Sequence, residues 1–177
     1  ELFLQLRLPE GSSMAATQQA VTEAETLLAG DKDIVHSTAY LGNGSPRFWL
    51  GLNPQLPNPA FAEIVILSKD TAARERIKSR LEAALADGAI SQARTRVDRF
   101  NFGPPVGFPV QFRVVGSNAN ELRQIAERVR EAMRANPDVR DPHLQWNETK
   151  PSIRLVVDQD KARAIGLTPV DISQSLQ

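Results

Sequence analysis

The sequence predicts an α+β fold made of ferredoxin-like split β-α-β units, in which an antiparallel sheet carries helices on one face. Three observations support this prediction. The chain opens with period-two alternation typical of a strand, its longer segments carry helical apolar stripes, and the predicted elements run β-α-β-β-α-β over the first hundred residues. The opening pattern is then partly repeated, so we expect one complete unit and one partial unit.

The first three elements follow from local patterns. Leucines at every second position from Leu2 to Leu8 predict a strand with one face on a core, and Pro9 ends it. Ser12 and Ser13 are suitable helix caps, and Gly30 is placed to end the helix that follows. A second strand is predicted over residues 34–41.

The next three elements complete the unit. Residues 61–67 are apolar on both faces, which predicts a well-buried strand. Asp70 or Thr71 then begins a helix that ends at Gly88, and a further strand is predicted over residues 94–100. Glycine and proline at 103–107 mark a boundary between units.

The segment after this boundary echoes the beginning of the chain. Residues 110–113 resemble residues 4–7 and are followed by a helix whose apolar stripe is expected to be buried. Strands are predicted near residues 139–147 and 153–157. Two short helices, 159–165 and 169–176, complete the prediction.

Composition and motifs argue against enzymatic chemistry. The 177 residues include no cysteine, and His36 and His143 have no ligand partner at helical spacing. Asp158 and Asp160 are adjacent to positive charge, which favours a helix cap over a metal site. We therefore expect no catalytic residue, no metal and no cofactor.

Nucleic-acid binding is the weakest of the alternatives. The net charge is +0, so no overall field attracts a polyanion. Arg94, Arg96 and Arg99 lie on one predicted strand, but the aromatic motif of RNA-binding sheets is absent there. The arginines of helix 118–134 alternate with glutamates, which favours a solvated face.

Aromatic and apolar residues around two breaks in the chain are the candidate binding residues. A loop rich in proline and glycine separates the second and third strands, and further phenylalanines precede the unit boundary. Such side chains offer polarizable, non-directional surface for lipophilic ligands, although packing at the end of a core explains them equally well. The candidates are Phe48, Trp49, Leu50, Phe61, Phe100 and Phe102.

Several stretches resemble the inner-membrane pump subunit of resistance-nodulation-division (AcrB-type) multidrug exporters. They are residues 8–12 (LPEGS), 102–111 (FGPPVGFPVQ), 136–141 (NPDVRD), 156–168 (VVDQDKARAIGLT) and 171–172 (DI). The resemblance extends in order over essentially the whole chain. It places the chain in the periplasmic porter region, in the second periplasmic loop.

This resemblance implies a domain organisation. Residues 1–103 would be a first porter subdomain, 104–158 the first part of a second, and 159–177 the lead into the docking domain. Because the chain starts at Glu1 directly within a strand pattern, we expect an excised fragment whose membrane anchors lie outside it.

The resemblance also implies a function and partners. The expected activity is proton-driven export of lipophilic or amphiphilic drugs, in an inner-membrane homotrimer that works with a periplasmic adaptor and an outer-membrane channel. Residues 42–60 match the loop that separates two substrate sites in the family, but this loop is richer in proline. A stand-alone ligand-binding or regulatory ferredoxin-like module is the alternative.

Overall fold

A computed structural model describes residues 1–103, 107–146 and 152–176 of the chain. The first unit has the predicted order of elements. Its elements are β1 (Leu2–Arg7), α1 (Met14–Leu28), β2 (Ile34–Leu41), β3 (Phe61–Ser68), α2 (Thr71–Ala86) and β4 (Arg94–Arg99).

These strands form one four-stranded antiparallel sheet in the order β2-β3-β1-β4. β1 is therefore central, with Leu4 opposite Ile64 of β3 and Val97 of β4. The leucines of β1 are 0% exposed and pack in one cluster with apolar residues of α1 and α2. This is the ferredoxin-like arrangement. Helices α1 and α2 both pack on one face of the sheet, and neither covers the other face.

The residues at the ends of α1 and α2 explain why these two helices begin and end as predicted. Ser13 and Asp70 accept hydrogen bonds from backbone N–H groups in the first turns of α1 and α2. Glycines with positive φ follow both helices, +72° at Gly30 and +89° at Gly88, in a region that residues with a Cβ rarely adopt.

The second half of the chain is helical where it is regular. Its helices are α3 (Ala119–Arg134), α4 (Gln159–Ala164) and α5 (Pro169–Ser175). Asp158 caps α4 by accepting from the Lys161 N–H, so the predicted capping role of this acidic residue is confirmed. Thr168 and Asp171 form a reciprocal capping box at α5.

The strands predicted in the second half are not found in the described part of the chain. Residues 110–113, 139–146 and 153–157 have no strand conformation there, and Asn147 lies outside the described residues, as do Pro104 and Pro105 of the predicted boundary. A strand requires a neighbour to complete its hydrogen bonds, and these segments pair with none of the described strands. Ile153 is 90% exposed, which shows the same lack of packing.

Helix α3 is also less buried than its pattern predicts. Its stripe residues Leu122, Ile125, Val129 and Met133 are half-buried, and no residue of the helix is fully buried. Its arginines pair along the helix surface, for example Arg130 with Glu127 at 2.8 Å. The predicted solvated charged face is thus present, whereas the expected burial of the apolar stripe is wrong.

Candidate functional site

The face of the sheet that carries no helix forms the floor of a large cleft. Side chains alternate along β1, so Phe3, Gln5 and Arg7 point away from the helices and into this cleft. The cleft has a volume of about 2040 Å³ and is also lined by Phe108 and by residues 140–141 and 143–146 from the second half. It therefore lies between the complete unit and the chain that follows it.

The irregular loop between β2 and β3, residues 42–60, covers part of the floor. Two backbone hydrogen bonds close its base, Gly42 N–H to the Phe61 carbonyl at 2.8 Å and Asn58 N–H to the Gly42 carbonyl at 2.9 Å. Thr17 of α1 donates to the Pro59 carbonyl at 2.6 Å. The end of the loop that leads into β3 is thus held by both sheet and helix.

A buried carboxylate holds the first part of the loop to the sheet. Glu63 of β3 is 5% exposed and accepts from the Ser45 N–H at 3.0 Å and from Gln5 Nε2 at 2.7 Å. Nearby, Arg7 donates to the side chain of Gln55 at 2.9 Å. These bonds connect two points of the loop to β1 and β3.

The far part of the loop contributes to an aromatic cluster at one end of the cleft. Phe100, directly after β4, packs against Phe3 at 5.3 Å between ring centroids and edge-on against Trp49 at 5.5 Å. Trp49 also lies 4.6 Å from Phe102, and Phe48 lies 6.3 Å from Phe100. Tilted and edge-on rings are the favourable geometries for such contacts.

Arg96 connects the two halves across the cleft. Its guanidinium lies 5.6 Å from the ring centroid of Phe3 and 4.7 Å from that of Phe108, and it forms an ion pair with Asp98 at 3.0 Å. Both rings are within the range of cation–π attraction. One side chain of the floor thus contacts the chain beyond the unit boundary.

The structure brings together four of the six predicted site residues, namely Phe48, Trp49, Phe100 and Phe102. Phe61 lies elsewhere on the floor, 1% exposed beneath the guanidinium of Arg7. Leu50 is 87% exposed and makes no ring contact with the cluster, and neither it nor Phe48 nor Phe102 is among the residues that line the cleft, so Phe48 and Phe102 lie beside the cleft.

Sequence reasoning did not single out Phe3, Glu63 or Arg96 as site residues. The sequence did contain a signal for Phe3. This residue alternates with the core leucines of β1, so its side chain must face the other side of the sheet. Nothing local indicated that Glu63 would meet Ser45, 18 residues earlier in the chain.

The two histidines occupy different positions, His36 on the surface and His143 in the lining of the cleft. His36 is exposed and lies 3.1 Å from the Thr38 hydroxyl. His143 packs edge-on to Phe108 at 4.7 Å. Within the described ranges, no group of three or more histidine, aspartate or glutamate side chains is placed to hold a metal ion.

Comparison with known proteins assigns the chain to a class of membrane transporter. The model of the AcrB/AcrD/AcrF family matches residues 1–177, and the chain therefore belongs to that family, the efflux pumps of resistance-nodulation-division type. The search of curated proteins found no match.

Family membership indicates a multidrug pump of the inner membrane that works as a trimer with adaptor and channel partners. Among the described residues, no helix has the length and apolar character that a membrane crossing requires.

Proposed function

We propose that this chain is a periplasmic, non-catalytic porter portion of a proton-driven efflux pump, and that its cleft receives lipophilic or amphiphilic drugs. In this proposal, the chain forms part of the second periplasmic loop, with residues 1–103 as one porter subdomain. The substrate contacts are assigned to Phe48, Trp49, Phe100 and Phe102, with Phe61 further along the floor.

The observation that carries this proposal is the aromatic cluster at one end of the cleft. Rings from the loop and from the end of β4 meet there, and Phe48 and Phe102 remain 55% and 71% exposed. Exposed aromatic surface beside a large cleft suits ligands that differ in shape but share apolar character. Family membership makes exported drugs the expected ligands.

The proposal is tested by replacing Phe48 and Trp49 with alanine in the full-length pump, expressed in cells that lack their own efflux. We expect the pattern of susceptibility to a panel of drugs to change while the amount of pump in the membrane stays the same. Val35→Ala is the matched control, since Val35 is an exposed apolar residue of β2 outside the cleft. Unchanged susceptibility to every compound in the double variant would reject the assignment of these residues.

A further inference from the structure

We infer that the indole N–H of Trp49 selects, among apolar ligands, those that carry a hydrogen-bond acceptor such as a carbonyl or ether oxygen. This inference rests on the proposed function and specifies the ligand class of the same cleft. It starts from an unusual feature of the aromatic cluster. Trp49 Nε1 is buried and has no hydrogen-bond partner among the described residues.

The position of the indole ring is fixed on two sides. Phe100 packs edge-on against it, with planes 89° apart, and Phe102 packs at 38°. Because these rings offer no acceptor for the N–H, the contacts that hold the indole do not satisfy its one polar group. A buried donor without a partner is unfavourable, and tryptophan in protein interiors usually finds one.

The N–H edge of the indole is covered by the loop itself. A methyl group placed on Gly51 would lie 3.2 Å from Trp49 Nε1 and 3.4 Å from Cδ1, so the backbone at Gly51 adjoins this edge. Both Trp49 and Gly51 line the cleft. Contact between the N–H and a ligand in the cleft therefore requires a displacement of the loop at Gly51.

The energetic consequence differs between two kinds of ligand. A purely apolar ligand gains ring contacts but leaves the indole N–H unpaired. A ligand of the same shape with a carbonyl gains those contacts and also provides the missing acceptor, which we expect to strengthen binding about threefold to tenfold.

Benzophenone and diphenylmethane form a suitable pair of probes, because they differ by a carbonyl in place of a methylene group. The chain contains only two tryptophans, Trp49 and Trp146, so a ¹⁵N–¹H spectrum of the full chain shows two indole signals. Trp49→Phe assigns them and retains an aromatic ring. We expect benzophenone to move the Trp49 indole proton downfield and diphenylmethane to leave it without such a shift, while backbone amide signals report binding of both.

Affinities measured by titration of the amide signals complete the test. In the Trp49→Phe variant, the smaller ring weakens binding of both probes, and benzophenone should in addition lose its threefold to tenfold advantage over diphenylmethane. An equal loss for both probes, or bound benzophenone without a downfield shift of the Trp49 signal, would overturn the inference while leaving the proposed site intact. Failure of both probes to bind would count against the proposed site and this inference together.

Discussion

Replacement of Glu63 by glutamine is expected to weaken the attachment of the first part of the loop to the sheet while the sheet itself stays folded. In the folded chain, the carboxylate accepts from the Ser45 N–H and from Gln5 Nε2 through its two oxygens. A glutamine at this position keeps one oxygen acceptor and places an amide N–H₂ group where the second oxygen was. That group faces the side-chain amide of Gln5, which can turn to accept from it, so the Ser45 N–H keeps a neutral oxygen in place of a carboxylate.

The structure sets the size of the effect. Glu63 is 5% exposed, so water has little access to compensate for the lost charge. A hydrogen bond to a charged group contributes about 1.5–3 kcal/mol. A neutral acceptor contributes only about 0.5–1.5 kcal/mol, so the free energy of local opening at Ser45 falls by about 1 kcal/mol, and its amide exchanges with solvent roughly 5-fold faster.

Native-state hydrogen exchange of the Ser45 amide, followed by NMR, measures this directly. Glu25→Gln, on the exposed surface of α1, makes the same change of charge and serves as the control. Faster exchange at Ser45 in Glu63→Gln alone, with the amides of β1 unaffected, is the expected result. Equal exchange rates in the two variants would refute the role of Glu63 as the attachment point of the loop.

Two further predictions concern other parts of the chain. A bidentate hydrogen bond from Arg76, at 2.7 and 2.8 Å, holds the pKa of Asp33 below its ordinary value, so this pair stabilises the fold at neutral pH and the contribution is lost as the pH falls through the carboxyl range. Urea unfolding should therefore show Asp33→Asn less stable than the unaltered chain at pH 7 but nearly equal to it at pH 2.5, and a constant difference would contradict this assignment. Replacing Arg96 by glutamine removes its cation–π contact with Phe108, so the distance between spin labels on α1 and α3 should spread over a wider range. Arg96→Lys, which keeps the charge, should broaden the distance distribution less than Arg96→Gln does. Identical distributions in the unaltered chain and both variants would exclude a connecting role for Arg96.

The first unit was predictable because each of its elements carries a complete local signal. The leucine alternation of β1 indicates both a strand and its buried face, and Ser13 and Asp70 mark helix beginnings by the chemistry of their side chains. The second half carries similar signals at residues 110–113 and 153–157 without forming strands. Alternation predicts which face of a strand is buried, but whether a strand exists depends on a partner elsewhere in the chain.

The candidate site was predictable in its residue types rather than in its connections. Trp49 and Phe100 stood out because aromatic residues beside proline and glycine breaks are conspicuous in any sequence. Their mutual packing, and the attachment of their loop through Glu63, depends on contacts between segments 18 or more residues apart. Such contacts follow from sheet order and register, which residue spacing alone does not determine.

The central position of β1 has a consequence for how the protein is made. Of the four strands of this sheet, β1 is synthesised first, and it is completed on one side by β3 and on the other by β4, where Leu2 pairs with Arg99. At a translation rate of about 5–20 residues per second, roughly 5–20 s pass between the synthesis of β1 and the synthesis of β4. Throughout that interval, the hydrogen-bonding edge of β1 that pairs with β4 is available to chaperones or to the wrong partner. The rate at which this region matures in the cell should therefore depend on how quickly β4 is synthesised and released.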